Sequence, residues 1–372
     1  MTKRFIPLAA LLLCTAAAAP PDPELHWTAE QIDRLRVWLR IAPQEGLVLP
    51  AVPGLSDAVQ TGDASRIDRA MTELALNLAR AYLLGSSGPG ARAGWRIAEN
   101  DGVIDLSASL SAALARNDVD GFYTALRPRN TDYEALRRAL SNEVDPKRRA
   151  VLIRNLERWR WLPLDMGPRY LLVNAAGFEV GLWEDGRRVA RWRVVVGKPR
   201  TPTPVFSAIV TGVTVNPWWD VPPSIVAESV GRLTRTSPAE ARRRGYVWGG
   251  GSYRQRPGPG NSLGLIKLVM PNPYKVYLHD TPSKALFDKP VRAFSHGCIR
   301  VHTALEFAAR LLGRPLDAEV AQGSTVTLPL DDPLPVYVTY FTADVSDAGA
   351  VEYHDDIYGR DAMMGESRSP AP

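Results

Sequence analysis

Cysteine is nearly absent from this chain, since only Cys14 and Cys298 occur among its 372 residues. Cys14 lies in a leader that we expect to be removed. One thiol then remains, which excludes an intramolecular disulfide. Histidine is also scarce, but three of the five histidines, His279, His296 and His302, stand close to Cys298 in sequence. A neighbouring imidazole can accept a thiol proton, so Cys298 is a candidate nucleophile in its thiolate form.

A strong excess of one charge is lacking as well. The formal charge is +5, and it is spread over many basic and acidic residues. Nucleic acid is not an expected partner, because binding it requires a concentrated basic face. The mild excess would suit weak attraction to an anionic polymer, although solvated surface charge is the simpler interpretation. Long apolar runs are lacking beyond the leader, so we expect no stable membrane span after its removal.

The first residues are typical of a secretory signal. Lys3 and Arg4 supply positive charge, residues 5–14 are apolar, and residues 15–19 are small. This pattern predicts a signal peptide over residues 1–18, export through the inner membrane and a periplasmic location. Lipidation of Cys14 stays open as an alternative, although the preceding Leu13 is bulkier than a lipoprotein signal prefers.

Residues 19–163 have a helical pattern. Thr28 and Gln31 form a capping box before an apolar stripe, and Ser65 is predicted to open a second helix that stops at Gly85. Further helices are expected at 107–115, 118–126, 131–141 and 146–161. Trp159 and Trp161 are predicted to pack against the next domain.

Strand-like alternation begins after Pro163, and residues 164–345 are expected to form a mostly β domain. A turn at Asp185-Gly186 joins two strands, and residues 301–312 are predicted to be a helix directly after the cysteine motif. Residues 225–260, rich in Gly, Pro and Arg, predict a mobile flap. Residues 346–372 form a C-terminal extension. The predicted class is α+β, with a helical scaffold region before the β domain.

The surroundings of Cys298 suggest acyl-transfer chemistry. A thiol just before a helix would lie at the positive end of its dipole, which favours the thiolate. Gly297 permits a tight turn whose N–H groups could stabilise an oxyanion. His279 ends a predicted strand and could act as general base, with Asp280 orienting its ring through the carbonyl or the side chain.

Two other interpretations compete with the catalytic one. A lone cysteine is often a small buried apolar residue. A zinc site is also conceivable, with the ligand set His279, His296, Cys298 and His302, although the spacing matches no common zinc pattern. Of the other histidines, His26 and His354 are expected at the surface, while His302 should cap or line the helix.

The cysteine motif resembles the signature of the L,D-transpeptidases of the YkuD domain family. The matching segments are Tyr277-Leu278-His279-Asp280-Thr281-Pro282 and Phe294-Ser295-His296-Gly297-Cys298-Ile299-Arg300. Other matching stretches, among them residues 155–163 and 355–361, resemble the YcbB-like branch in particular. The likeness is close over about residues 144–361 and loose before them.

This resemblance implies a β-sandwich catalytic domain with a lid insertion at about residues 225–260. It implies that Cys298 is the nucleophile, that His279 is the general base and that backbone N–H groups of His296, Gly297 and Cys298 bind the oxyanion. Asp280 would orient the base, Ser295 would bind substrate, and Arg300 would order the loop or bind a substrate carboxylate. Carbapenems acylate the same thiol in this family. No cofactor and no metal are expected.

The implied partners are peptidoglycan stem peptides, as donor and acceptor. The thiolate would attack the L-centre carbonyl of the third stem residue of a tetrapeptide, release D-Ala and pass the acyl group to an amine, forming a 3–3 cross-link. Hydrolysis by an L,D-carboxypeptidase activity, protein attachment to peptidoglycan and a non-catalytic wall-binding scaffold stay open. One departure is that the sequence before residue 146 leaves no room for the peptidoglycan-binding module often inserted in the YcbB-like branch.

Overall fold

The computed structural model describes residues 25–97 and 104–364. The predicted signal peptide with Cys14, the last residues of the C-terminal extension and residues 98–103 lie outside the described residues. The predicted α+β class is confirmed, since a helical N-terminal part precedes a domain that is built on one large sheet. Within the described residues, no helix is both long enough and apolar enough to cross a bilayer.

The N-terminal part of the described chain consists of helices and two short 3₁₀ turns. The helices are α1 (Ala29–Ile41), α2 (Leu55–Thr61), α3 (Ala64–Leu84), α4 (Leu106–Ala115), α5 (Val119–Ala125), α6 (Thr131–Asn142) and α7 (Pro146–Arg160). The capping box of Thr28 and Gln31 is confirmed at the start of α1. The cap of α3 was predicted wrongly, because the carboxylate of Asp63, and not Ser65, accepts from the N–H of Arg66.

The second part of the chain is a closed sheet. Its strands are β2 (Arg169–Asn174), β3 (Glu179–Glu184), β4 (Arg187–Gly197), β5 (Val205–Val215), β9 (Ile266–Val269), β10 (Leu278–His279), β12 (Ile299–Val301) and β13 (Val326–Thr339), with β1 (Trp95–Arg96) added from the helical part and β11 (Ala293–Ser295) beside β4. The strands follow the order β5-β13-β2-β3-β4-β12-β10-β9, and β9 pairs again with β5. The predicted turn at Asp185 and Gly186 is confirmed, with φ values of 49° and 75°.

Helix α7 contacts both the helical part and the sheet domain. Trp159 stacks on Phe341 of the sheet domain at 4.9 Å, as expected for a residue at this boundary. On the other side of the helix, Arg160 is fully enclosed. Its guanidinium donates to the carbonyl of Glu45 at 2.7 Å and to the hydroxyl of Tyr133 at 3.0 Å. The boundary is therefore partly polar: Nη2 of Arg160 donates both hydrogen bonds, and Nη1 lies 3.6 Å from a carboxylate oxygen of Glu157.

The expected flap is a folded subdomain, which we call the lid (residues 219–260). It contains β6 (Trp219–Asp220), α8 (Pro223–Ile225), a π-helical turn (Val226–Val230), α9 (Gly231–Thr236), α10 (Pro238–Arg243), β7 (Tyr246–Gly249) and β8 (Ser252–Gln255). Trp219, Val221, Val230 and Leu263 form a small apolar cluster beneath it. Widely spaced residues supply this core, so the expected flap has helices and strands of its own, and its mobility stays a prediction.

Two helices follow the cysteine motif, α11 (Ala304–Leu312) and α12 (Asp317–Gln322), and the last described elements are β14 (Ala343–Val345), β15 (Val351–Tyr353) and α13 (Arg360–Met363). Phe307 of α11 is fully buried and its ring meets that of Trp192 of β4 at 4.9 Å. The helix therefore packs against the sheet behind the strand that follows Cys298.

Replacing Arg160 tests the boundary between the two parts. In Arg160→Ala, the carbonyl of Glu45 and the hydroxyl of Tyr133 lose a buried donor, and Glu157 loses its ion pair. We expect the free energy of unfolding to fall by about 3 kcal/mol, as for a broken buried ion pair. Denaturant titration measures this free energy of unfolding. Lys147→Ala, which is exposed on the same helix, should change it by less than about 0.5 kcal/mol.

Candidate active site

Two neighbouring parallel strands bring His279 and Cys298 together. His279 ends β10, and Cys298 directly precedes β12, with Leu278 opposite Ile299 and His279 opposite Arg300. The N–H of Ile299 also donates to the carbonyl of Tyr277 at 3.0 Å, which extends the pairing by one residue. Side chains two positions apart share a face of a sheet. The side chains of Tyr277, His279, Cys298 and Arg300 therefore lie on one face.

The helix predicted over residues 301–312 is present, but its start was predicted too early. Residues 299–301 form β12, and α11 begins at Ala304. A segment this short gives no period by which sequence could separate strand from helix. The thiol is therefore not at the N-terminus of a helix, and a helix dipole does not act on it.

The Cys298 thiol is half-buried and contacts the segment before β10. Its sulfur lies 3.8 Å from the carbonyl oxygen of Lys275. Burial raises the pKa of Cys298 above its usual value. It outweighs the effects of Tyr277, Arg300 and Lys267, which all favour the thiolate. The sequence favoured a thiolate at rest, whereas the raised pKa of Cys298 indicates a neutral thiol.

His279 is buried and neutral. Its Nδ1 lies 2.5 Å from the carbonyl oxygen of Asp280, which can only accept, so Nδ1 carries the proton and Nε2 has the free lone pair. Burial lowers the pKa of His279 to about 3, and the nearby Arg300 and Lys267 add to this effect. The ring can therefore accept a proton at neutral pH but does not hold one at rest.

Asp280 orients the imidazole through its backbone and not through its side chain. The carboxylate instead accepts from the N–H of Leu265 at 2.9 Å and pairs with Lys284. Gly264 is required beside it, because a Cβ there would lie 2.3 Å from a carboxylate oxygen and its φ is +61°. Asp280 thus holds the end of β10 in place.

No hydrogen bond joins the thiol and the imidazole within residues 25–97 and 104–364. Tyr277 lies beside both groups, because its ring centroid is 5.6 Å from that of His279 and, besides burial, the Cys298 thiol is near enough to raise the pKa of its hydroxyl. Catalytic hydrogen bonds are often long before substrate binds. Proton transfer therefore requires the thiol and the imidazole to come closer than they are in this structure.

Tyr277 is a site residue that sequence reasoning missed. Its hydroxyl lies near Trp219 of the lid and Cys298, both of which, besides burial, affect its pKa, and the ammonium of Lys267 lies 5.0 Å from its ring centroid. A tyrosine in an alternating strand looks like any core residue, so its type gave no signal. Its position two residues before His279 on a strand was the signal available.

Ser295 and Gly297 have different roles from those expected. Ser295 is 2% exposed, and its hydroxyl donates to the carbonyl of Cys298 at 2.5 Å and accepts from the N–H of Gly297 at 3.0 Å. Ser295 therefore braces the loop and is not open to substrate. Since its N–H is occupied, Gly297 is not a free oxyanion donor. It supplies the turn instead, with a φ of 113°.

The N–H groups of His296 and Cys298 have no hydrogen-bond partner in the described part of the chain. The Cys298 N–H lies on the same residue as the sulfur, so it can reach an oxyanion formed by attack of that sulfur. Of the three predicted donors, His296 and Cys298 are the two whose N–H groups are available.

The His296 side chain faces the lid and not the thiol. Its Nε2 lies 2.6 Å from a carboxylate oxygen of Glu228, in the π-helical turn, and 3.3 Å from the ammonium of Lys198. The bond to His296 lowers the pKa of Glu228. This three-residue contact ties the lid to the catalytic loop.

Arg300 and Lys267 supply positive charge beside the reacting groups. Arg300 is half-buried, and its Nε has no hydrogen-bond partner in the described part of the chain. Burial lowers its pKa. No carboxylate of the described residues forms an ion pair with either side chain. The two cations are therefore available for a negatively charged group of a ligand.

The four residues considered for zinc do not converge. The group of the described residues with metal-like spacing is Asp344, Glu352 and His354, and there Asp344 already accepts from His354 at 2.8 Å. His354 is thus partly buried and paired, contrary to the surface position expected. His26 stays exposed beside Asp68.

His302 packs its ring on Phe287, with the centroids 5.0 Å apart. It precedes the first residue of α11 by two positions, and its N–H donates to the carbonyl of Arg193 of β4 at 2.9 Å. It therefore lies beside the sheet and neither caps nor lines the helix as predicted.

Two sequence profiles match this chain. Residues 168–337 match the YkuD family, described as the L,D-transpeptidase catalytic domain, and residues 20–140 match a family described as the Scaffold domain. A Haemophilus influenzae protein, named provisionally as an L,D-transpeptidase, is 29% identical over 220 residues, which cover 52% of this chain and 45% of that protein.

Solved structures with lower similarity include an L,D-transpeptidase mutant of Enterococcus faecium, with 17% identity, 48% of this chain and 52% of that chain covered, and a TM-score of 0.26. Another is an L,D-transpeptidase from Mycobacterium smegmatis, with 15% identity, 46% and 58% covered, and a TM-score of 0.27. The matches span about half the length of these relatives. The branch of the family stays a prediction.

The pH dependence of Cys298 alkylation tests the neutral resting pair. Because the raised pKa leaves little thiolate at neutral pH, the rate with iodoacetamide should rise about tenfold per pH unit from about pH 6 to about pH 9. Mass spectrometry follows the adduct, with Cys298→Ser as the blank. A rate that is already constant below about pH 7 would indicate a thiolate–imidazolium pair and contradict this assignment.

Proposed function

We propose that the protein is a peptidoglycan L,D-transpeptidase that uses Cys298 as its nucleophile, on the premise that residues 168–337 match the YkuD family, described as the L,D-transpeptidase catalytic domain. The observation that carries this proposal is the shared sheet face on which a thiol, a neutral imidazole and an unpaired N–H group meet. This is the minimum set that thiol-based acyl transfer needs.

In the first step, Nε2 of His279 takes the proton of Cys298 as the sulfur bonds to the L-centre carbonyl carbon of the third residue of a tetrapeptide stem. The carbonyl oxygen becomes an oxyanion and accepts from the N–H groups of Cys298 and His296. Tyr277, which favours the thiolate, reduces the cost of the negative charge on the sulfur.

The oxyanion then collapses, the C–N bond to D-Ala breaks, and the imidazolium of His279 returns its proton to the leaving amine. A thioester to Cys298 remains. In the second step a side-chain amine of another stem attacks the thioester, His279 takes the amine proton, and the sulfur leaves as the re-formed thiol. The product is a 3–3 cross-link.

Arg300 and Lys267 are proposed to hold a substrate carboxylate beside the thiol. The terminal carboxylate of the donor tetrapeptide lies one residue from the bond that breaks, which matches the closeness of the two cations to the thiol and the imidazole. The Nε–H of Arg300 is already buried away from water and has no partner in the described part of the chain. A substrate carboxylate that accepts from it therefore adds a hydrogen bond, while the cost of removing this N–H from water was met when the chain folded.

The acceptor is the open part of the proposal. Water in its place gives an L,D-carboxypeptidase, and a protein amine gives attachment to peptidoglycan. Cross-linking is favoured because the lid covers the site next to His296 and limits access of water.

We also propose export by the N-terminal segment and action in the periplasm, which the charged and apolar pattern of residues 1–19 supports.

Cys298→Ser tests the nucleophile. A carbapenem should add one molecule to the wild-type protein by mass spectrometry and none to the variant, because a serine hydroxyl has no comparable acidity in this site. Circular dichroism should show both proteins equally folded. A wild-type protein without an adduct would favour the non-catalytic scaffold.

Incubation with purified tetrapeptide muropeptides tests the acceptor. Cross-linking predicts a new dimer lacking one D-Ala, and hydrolysis predicts free tripeptide alone. Liquid chromatography with mass spectrometry separates these products. Tripeptide without any dimer would replace the transpeptidase proposal by the carboxypeptidase one.

His279→Ala tests the general base. We expect the acylation rate to fall about 10²–10⁴-fold, because the thiol then loses its proton acceptor. Stopped-flow measurement of carbapenem consumption follows the rate. The matched control is His302→Ala, an imidazole close in sequence that packs on Phe287, and it should stay within about twofold of the wild type. Equal losses in both variants would mean that His279 only supports the fold.

A further inference from the structure

The positive charge of this protein is concentrated in the lid. Residues 219–260 contain seven arginines, no lysine and three acidic residues, an excess of four charges in a chain whose formal excess is five. The even spread of charge expected from the sequence is therefore not what the folded chain presents.

Each acidic residue of the lid already has a partner. The ion pairs are Asp220–Arg254 (2.7 Å), Glu240–Arg244 (2.6 Å) and Glu228–His296 (2.6 Å), and Glu240 also pairs with Arg243. The acidic residues therefore leave the remaining arginines of the lid without an internal counter-charge.

Four of these arginines are exposed: Arg232, Arg235, Arg242 and Arg256. Among the described residues, no carboxylate lies within ion-pairing distance of any of them. Arg232 and Arg235 are three residues apart along α9 and so are neighbours on its surface. The backbones of Arg242 and Arg256 are both hydrogen bonded to Gly245. The N–H of Gly245 donates to the carbonyl of Arg242 at 2.9 Å, and the N–H of Arg256 donates to the carbonyl of Gly245 at 3.0 Å.

An exposed tryptophan completes this surface. Trp248 lies at the end of the β7–β8 hairpin and is 64% exposed, with its ring against that of Tyr253 at 4.7 Å. α10, which carries Arg242, packs against β7, which carries Trp248. A large aromatic ring that is held in place and open to solvent is a typical contact for a flat apolar face of a ligand.

We propose that this lid surface binds the peptidoglycan polymer itself, outside the catalytic groove. The exposed guanidinium groups would pair with the carboxylates that end the stem peptides, and the indole of Trp248 would stack on a sugar ring of the glycan. A polymer that carries both carboxylates and sugar rings matches the two kinds of group that the lid exposes. The identification of this partner rests on the proposed function.

The connection to the catalytic loop favours a polymer over another anionic surface. Glu228 of the lid bonds His296, two residues before the nucleophile, and Tyr277 packs against the apolar cluster of the lid. A strand held by the lid is thus kept next to Cys298, which raises the local concentration of stems there. Such anchoring would replace the wall-binding module that the sequence leaves no room for.

Binding to purified, insoluble peptidoglycan sacculi tests this proposal. All proteins carry Cys298→Ser, so that turnover does not change the polymer during sedimentation. The triple variant Arg232→Gln, Arg235→Gln, Arg242→Gln should bind about tenfold more weakly, as expected for the loss of three surface ion pairs. Trp248→Ala should also bind more weakly. Binding of the Cys298→Ser parent should weaken from about 0.05 M to about 0.3 M salt, as screening requires.

The matched control removes the same charge from the helical part, with Arg40→Gln, Arg80→Gln and Arg116→Gln, all of which are exposed. It should bind sacculi within about twofold of the parent. Equal melting temperatures of the two triple variants exclude unfolding as the cause of a difference.

Two outcomes would overturn the proposal. One is equal binding of the lid variant and the control variant to sacculi. The other is a loss confined to vesicles of phosphatidylglycerol, which would assign the surface to an anionic membrane instead. Failure of this proposal is distinct from failure of the proposed function, because formation of the carbapenem adduct on Cys298 requires no sacculi.

Discussion

The site depends on the register between β10 and β12. A shift of one residue would move His279 and Cys298 to opposite faces of the sheet, because side chains alternate along a strand. The register is fixed from both sides, since β12 pairs with β4 at Val195 and β10 pairs with β9 at Lys267. The sheet also closes through β5 and β9, so neither strand is a free edge that could slip. The closed sheet is thus the reason that two residues 19 positions apart can act as a pair.

Burial then decides the charge of that pair. Removal from water disfavours both the imidazolium and the thiolate, so the pKa of His279 is lowered and that of Cys298 is raised. Arg300 and Lys267 act in opposite senses on the two groups, because a cation stabilises the thiolate and opposes the imidazolium. The resting site is therefore neutral. The proton moves when a carbonyl carbon is present to share the charge of the sulfur, which protects a lone thiol from oxidation between turnovers.

Sequence identified the reacting residues because cysteine and histidine are rare in this chain, and it located the hairpin at Asp185 because few residues tolerate that turn. It could not identify Tyr277, since a tyrosine on a buried strand has the same pattern whether or not it touches a sulfur. Nor could the sequence predict which way the side chain of His296 points, because that side chain is held by Glu228, a residue 68 positions earlier. The helices and strands of the lid were not predicted, because Trp219, Val230 and Leu263, which form its core, are too far apart in sequence to give a local hydrophobic period.

The bond between Glu228 and His296 joins two parts of the site through one side chain. His296 carries one of the two available N–H donors, so the contact that ties the lid to the catalytic loop also holds part of the anion-stabilising turn in position. A substitution in the lid, 68 positions from the turn, can therefore alter how an anion is stabilised at Cys298 without changing any residue that reacts.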